Sequence, residues 1–216
     1  MLSNLTIPVL NRYDLLQRML DTIDYPIEQL LIIDNGGELD DLRVPAIVKE
    51  HRVLPMLSNL GVATSWNLGI KNFYRHDVFY FASADMWFGA GDLEKLASAD
   101  PGRISLHRLF PHWHTFAIGE KVVEKIGLFD EALHPIYFED NDYARRAQNE
   151  GIGISYLDLI GGHDNSSTIQ SDDHFAKRNS ATFVANQTYY ESKIQAQDYS
   201  SGEWNLQRTR SNSWAK

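Results

Sequence analysis

The stretch Leu30-Leu31-Ile32-Ile33-Asp34-Asn35-Gly36-Gly37 decides how the rest of the chain is read. Four apolar residues follow one another without polar alternation, which suits a strand covered on both faces, as in a parallel sheet. The run stops at Asp34-Asn35-Gly36-Gly37, a turn sequence that sets polar groups just beyond the carboxyl end of the strand. In open α/β sheets that edge is where ligands bind. Upstream, Leu5 to Leu10 is a second short apolar run, and Tyr13, Leu16, Met19, Leu20 and Ile23 recur behind it at helical spacing. Downstream, Val53-Leu54 reads as a short edge strand, since Pro55 cannot donate to a central ladder. Val62, Trp66, Gly69, Ile70 and Phe73 share one helical face, with Asn59 placed to cap its start. Val78 to Ala82 is another buried-type strand and ends in Ser83-Ala84-Asp85. The resulting order, β-α-β-β-α-β, is that of a nucleotide-binding α/β half.

Beyond Asp85 the pattern is less regular. Ile104 to Leu106 and Thr115 to Ile118 read as strands on either side of the loop Leu109-Phe110-Pro111-His112-Trp113-His114. A short helix is expected from Glu120 to Ile126, and a longer one from Glu139 to Glu150, closed by Gly151. Ile152 to Leu157 is a strand leading into Gly161-Gly162-His163, and a helix follows from His174 to Ile194 with Phe175, Phe183 and Tyr190 as packing residues. The Ser-, Asn- and Gln-rich residues 195–216 read as a mobile tail, although Trp204 and Trp214 are unusual in one.

Composition narrows the chemistry. A chain of 216 residues with 43% hydrophobic and 12% aromatic residues can bury a full core as one domain. Without cysteine it has neither disulfides nor thiolate metal sites, so a metal would sit on oxygen or imidazole ligands, which favours magnesium or manganese. A formal charge of -9 argues against a broad surface that grips bare phosphate backbone. No window approaches the apolar length of a membrane span, and the reading is of a soluble, cytoplasmic protein.

Acidic and imidazole residues stand at the ends of elements: Asp85 after a strand, Glu139, Asp140 and Asp142 at a helix start, and His163 in a glycine-rich loop. Each has a structural alternative. Asp85 serves as well for a turn before Gly89, the acids of the later block complement a helix dipole, and a lone loop histidine is more often a packing residue than a ligand. His112-x-His114 with His107 lacks a third metal ligand at recognisable spacing, whereas Trp113, and Trp87 beside Asp85, suit the apolar face of a sugar as well as a core. Arg145 and Arg146 read as a solvated face or as partners for carboxylates.

Order and spacing together carry more than any one motif. Asn59-Leu60-Gly61 with Asn67-Leu68-Gly69, then Ile126-Gly127-Leu128-Phe129-Asp130-Glu131 followed by Tyr137-Phe138-Glu139-Asp140-Asn141-Asp142-Tyr143-Ala144-Arg145-Arg146-Ala147, resemble the signatures of family 2 glycosyltransferases. The resemblance runs from about Leu5 to Lys193 and is closest to the soluble rhamnosyltransferase-like branch. It implies a single-domain α/β glycosyltransferase-A fold, with a Rossmann-like, mostly parallel central sheet flanked by helices. Residues 1–194 would form the catalytic domain, 1–85 its nucleotide-sugar-binding half and 86–194 its acceptor-binding half.

Carried over position by position, the resemblance implies that Pro8, Leu10, Asn11 and Asp34 lie around the base and ribose of the donor, and that Asn59 and Asn67 line the donor pocket. Asp85 matches the last residue of the family's D-x-D metal motif, whose first position here is Ser83. His163 matches its late histidine, a metal or diphosphate contact. The expected reaction is inverting transfer of a sugar from a UDP- or dTDP-sugar to an acceptor hydroxyl on a glycan, a protein or a modified base. A divalent cation, Mn2+ or Mg2+, on Asp85 and His163 would stabilise charge on the departing diphosphate. Asp140 is the expected general base, with Glu139 and Asp142 acting on its protonation and on acceptor hydroxyls, and Trp87 and Trp113 contacting the acceptor. Ser83 keeps open a protein that binds a sugar nucleotide with little chemistry. A nucleotidyltransferase ranks lower, because Leu5 to Asp14 has no glycine for a phosphate loop.

Overall fold

The apolar run that opened the sequence reading becomes β2 (Ile27–Asp34), and its side chains divide between two cores, Leu30 and Ile32 in one, Leu31 and Ile33 in the other. That division is the physical content of an unalternating strand: both faces are covered. The computed structural model describes residues 1–109, 112–164 and 173–202, with the backbone alone for 173–179.

β2 lies between β1 (Leu5–Val9) and β3 (Val48–Pro55), parallel to both, and β4 (Val78–Ala82) runs parallel to β1 on its far side. β5 (Met86–Trp87) leaves the main sheet. β6 (Ile104–His107), β7 (Thr115–Gly119) and β8 (Ile154–Leu157) complete a seven-stranded sheet of order β3-β2-β1-β4-β7-β6-β8, in which β7 alone is antiparallel to its neighbours. The result is a single-domain, mostly parallel α/β sheet. α1 (Tyr13–Leu20) and α3 (Asp92–Leu96) pack on one face through Leu16, Met19, Leu20, Leu93 and Leu96. α2 (Val62–Asn72), α4 (Glu120–Ile126) and α5 (Glu139–Asn149) cover the other through Trp66, Ile70, Val122, Val123, Tyr143 and Ala147. α6 (Asp173–Gln195) follows the two-residue strand β9 (Gly162–His163).

Three departures from the sequence reading have simple causes. β3 is eight residues long, because Lys49, Glu50, His51 and Arg52 are exposed on an edge strand, where charge discourages pairing with another chain and hides the strand from an apolar pattern. Asn59 does not cap α2: Gly61 is the N-cap, and the Asn59 Oδ1 accepts the Gly61 N–H at 2.9 Å in a turn just ahead of it. Gly61 holds φ +80, and a Cβ there would come within 2.7 Å of the Pro135 carbonyl oxygen, so the close approach of backbone to backbone selects glycine. α3 and the β5–β9 ribbon are too short to give a periodic signal. Residues 196–202 fold back on the molecule, where Lys193 donates to the Ser200 carbonyl at 2.7 Å and Ser201 is buried, while Trp204 and Trp214 lie outside the described residues. Among the described residues no helix is long and apolar enough to cross a membrane.

Candidate active site at the carboxyl edge of the sheet

Val9 and Asp34 are paired at the carboxyl ends of β1 and β2. The Asp34 carboxylate, expected to face a ligand crevice, is fully enclosed. Its Oδ1 accepts the Tyr13 hydroxyl at 2.8 Å and the Gly36 N–H at 3.1 Å, and its Oδ2 accepts the Leu39 N–H at 3.0 Å. The carboxylate therefore shapes the turn, and burial followed by this hydrogen bond pushes the Tyr13 phenol up to about 12. Gly36 is required because a Cβ would sit 2.1 Å from the Leu10 carbonyl oxygen. Pro8, Leu10 and Asn11 are half-buried beside this turn. Asn35 gave no sequence signal of its own, yet it donates to the Ser65 hydroxyl at 2.9 Å and accepts the Leu60 N–H at 3.0 Å, fixing the entry to α2.

Asn67 is also fully buried. Its amide donates to the Phe129 carbonyl at 2.9 Å and to Glu131 Oε1 at 2.8 Å, and it accepts the Phe129 N–H at 2.8 Å. Rather than presenting an open amide to a ligand, it ties α2 to the Phe129–Glu131 segment.

At the next strand end, Asp85 and His163 meet. β5 and β9 pair antiparallel with Met86 opposite His163, and Gly162 lets the Trp87 ring lie against the ribbon, since a Cβ would fall 2.1 Å from it. The Asp85 Oδ1 is 2.8 Å from the His163 Nε2, and both side chains are partly exposed. His163 stacks on His114 with centroids 4.8 Å apart, and His114 Nε2 lies 2.6 Å from His107 Nδ1. Burial, then the neighbouring His163 and His107, push His114 down to about 3, so its ring is neutral at physiological pH. From α1, Arg18 pairs with Asp164 at 2.7 Å and lies over Trp87 at 4.9 Å. The Ser83 N–H donates to the His114 carbonyl at 2.8 Å.

Two side chains of this corner, Asp85 and His163, are of the donor types that a divalent cation takes. Among the described residues no group of three or more His, Asp or Glu side chains is arranged to hold a metal alone. The Asp85 carboxylate and the His163 imidazole converge within 2.8 Å, and the His163 Nδ1 is buried with no hydrogen-bond partner among the described residues. Mg2+ or Mn2+ could take such oxygen and imidazole donors only with further ligands from outside this pair.

The acidic block lies at the start of α5, behind two consecutive non-glycine residues in the left-handed region, Tyr137 (φ 84) and Phe138 (φ 72). Such residues cost about 1–3 kcal/mol each and persist only where their surroundings hold them. The three acids that follow differ sharply. Glu139 is buried, and burial, then the neighbouring Asp140, push its carboxyl well above the usual range, while Oε2 has no hydrogen-bond partner among the described residues. Asp140 is partly exposed, accepts the short-range Asn141 N–H at 2.8 Å, and is also raised by burial. Asp142 is fully buried and faces cations, with Arg146 at 2.8 Å, Lys193 at 2.9 Å and Arg145 at 3.6 Å. Arg146 is thus a carboxylate's partner, not a solvated face, and it also donates to the carbonyls of Ile126 at 2.5 Å and Leu128 at 2.9 Å. Lys193 reaches Asp130 as well, at 2.6 Å. Its distance in sequence from both acids gave no signal for this contact.

Trp113 stacks on Trp66 and meets the edges of Phe116, Phe129 and Tyr143, which makes it part of the aromatic core between α2 and α5 with one side still reachable. The His112 Nδ1–H donates to the His107 carbonyl at 2.9 Å.

No protein-family model matches this chain, and no curated protein does. Solved structures do match in shape. GalNAc-T7 with UDP, GalNAc and Mn2+ superposes with a TM-score of 0.59 at 11% identity, over 76% of this chain and 44% of that one. TarS of S. aureus gives 0.54 at 14% identity, over 73% of this chain and 35% of that one. The catalytic domain of Drosophila β1,4-galactosyltransferase 7 in complex with xylobiose gives 0.51 at 12% identity, over 79% and 74%. The chain spans less than half the length of the first two. These neighbours are glycosyltransferases, and the fold is the glycosyltransferase-A fold.

Proposed function

We propose that this chain is a family 2-like, inverting glycosyltransferase of the rhamnosyltransferase-like branch, which moves a sugar from a UDP- or dTDP-sugar to an acceptor hydroxyl. The observation that carries the reading is the meeting of Asp85 and His163, 2.8 Å apart, at the carboxyl edge of a glycosyltransferase-A sheet. Asp85 and His163 would hold a divalent cation, which supplies positive charge to the departing diphosphate. Pro8, Leu10 and Asn11 would take the base and ribose, and Asp34 would act by holding the turn around them. Asn59 and Asn67 would support the donor pocket through the backbone they fix. Asp140 would take the acceptor's proton, being the acid of the block that is partly exposed and, among the described residues, without a paired cation. A base that acts from the face opposite the leaving group inverts the anomeric carbon in one displacement. Glu139, buried and held towards its protonated form, and Asp142, paired with cations, would set that base in place, and the reachable sides of Trp87 and Trp113 would meet the acceptor.

The test is thermal stabilisation by a panel of UDP- and dTDP-sugars with and without Mn2+, followed by turnover of the donor that binds. Binding to the native state raises its stability by mass action. We expect Mn2+-dependent stabilisation that Asp85→Asn and His163→Ala both remove. Stabilisation by a donor without any turnover would instead favour a sugar-nucleotide-binding protein, the reading that Ser83 keeps open, and full activity in excess chelator would overturn the cation's role.

A further inference from the structure

Two consecutive left-handed aromatic residues immediately before a candidate base need an external support, and α6 provides it. The Asn186 side chain is 5% exposed, and its amide nitrogen donates to the carbonyls of Ile136 at 2.9 Å and Tyr137 at 3.3 Å. An NH2 group has two hydrogens, so both are used on the backbone that enters the strained pair. The rings themselves rest on the same helix: Tyr137 meets Phe183 at 5.3 Å, and Phe138 meets Phe183 at 5.1 Å and stacks on Tyr190 at 5.5 Å. Aromatic pairs at these separations attract one another beyond simple burial, which works against the backbone strain.

We infer that Asn186 is a positioning residue for glycosyl transfer, which acts through the Tyr137–Phe138 turn to set where the Asp140 carboxylate stands. This rests on the reading of Asp140 as base. The acidic block in this account does not end at α5; its geometry is set by a helix about fifty residues later in the chain. No motif at Asn186 announces the role, because the groups it holds are main-chain carbonyls.

The experiment compares Asn186→Leu, Asp140→Asn and the double variant in the full chain, using whichever UDP- or dTDP-sugar stabilises the parent. Asn186→Leu is expected to lower kcat about tenfold or more while the donor KM stays within twofold. The double variant is expected to be no slower than Asp140→Asn alone, since residues that act as a unit are not additive. Hydrogen exchange of the peptide covering residues 132–141 should quicken in Asn186→Leu, with peptides from β1 to β4 unchanged. Should Asn186→Leu fail to fold, Asn186→Ser retains one donor and should give an intermediate loss of kcat. Losses that multiply in the double variant, a donor KM that rises in step with the fall in kcat, or unaltered exchange at residues 132–141 would each overturn the proposal. Parental turnover in Asp140→Asn would remove the base assignment itself, and the inference with it.

Discussion

Asp34 and Asp85 stand at the ends of neighbouring parts of one sheet edge, each after an apolar strand and before a turn, yet their carboxylates do opposite things. Asp34 is enclosed by a phenol and two backbone N–H groups, whereas Asp85 is partly exposed and meets the His163 imidazole. A related contrast recurs within one turn of α5, between Asp142 among three cations and Asp140, which pairs with none among the described residues. A carboxylate surrounded by its own donors holds structure. One that stands partly exposed is open to a substrate, which is the role proposed for Asp85 and Asp140.

The strongest way to break this contrast is to neutralise the two acids of α5 in turn. Asp140→Asn should lower turnover by about 10²–10⁴-fold, the usual worth of a positioned general base, with the melting temperature and donor affinity little changed. Steady-state kinetics with differential scanning fluorimetry reads both, and a loss of stability without a loss of rate would reverse the assignment. Asp142→Ala should act first on stability, costing about 3–5 kcal/mol of unfolding free energy in a urea titration, because it leaves Arg146 and Lys193 buried without their shared anion. Next in size is Asp34→Asn, which should cost about 1–3 kcal/mol by weakening the turn, with donor affinity falling only as the turn loosens. If calorimetry instead finds parental stability and a large loss of binding, Asp34 meets the ligand directly.

The smallest effect concerns pH and Glu139. Its folded carboxyl titrates above the ordinary value of 4.5, so the stability it contributes is fully present below that pH and is lost as pH rises through the elevated value. Glu139→Gln cannot ionise. It should therefore melt a few degrees higher than the parent at neutral pH, with the difference closing below about pH 4; an advantage that stayed constant across the range would mean Glu139 is not held towards its neutral form.

How much of this was readable in the chain depended on how local the cause was. β1, β2 and β4 were legible because burial on both faces writes an apolar run, and α4 was legible to the residue from its flanks. Asp85 and His163 were picked out as a pair by the order of motifs, and the fold brings them into contact. Asp34 was harder, since nothing in its own turn sequence announces that the Tyr13 hydroxyl will close over it. Asp140 and Asp142 are indistinguishable as two acids in one first turn; Arg146, four residues on, was a visible partner for Asp142, but Lys193 and Asn186 arrive from α6 and write no pattern near the acids they serve. Residues held to main-chain atoms, such as Asn67 on Phe129, look like ligand contacts in a motif and turn out to be joints.

The two-residue ribbon of β5 and β9 has a consequence for how the protein comes into being. Asp85 waits for a strand partner that is 78 residues further along the chain, and the partner brings His163 with it. At roughly 5–20 residues per second of synthesis, that partner is made about 4–16 seconds after Asp85. On the proposed function, a nascent chain that had already folded β1 to β4 would have the walls of the donor site without its Asp85–His163 corner, and would gain affinity for a diphosphate only once the later half had been made and docked.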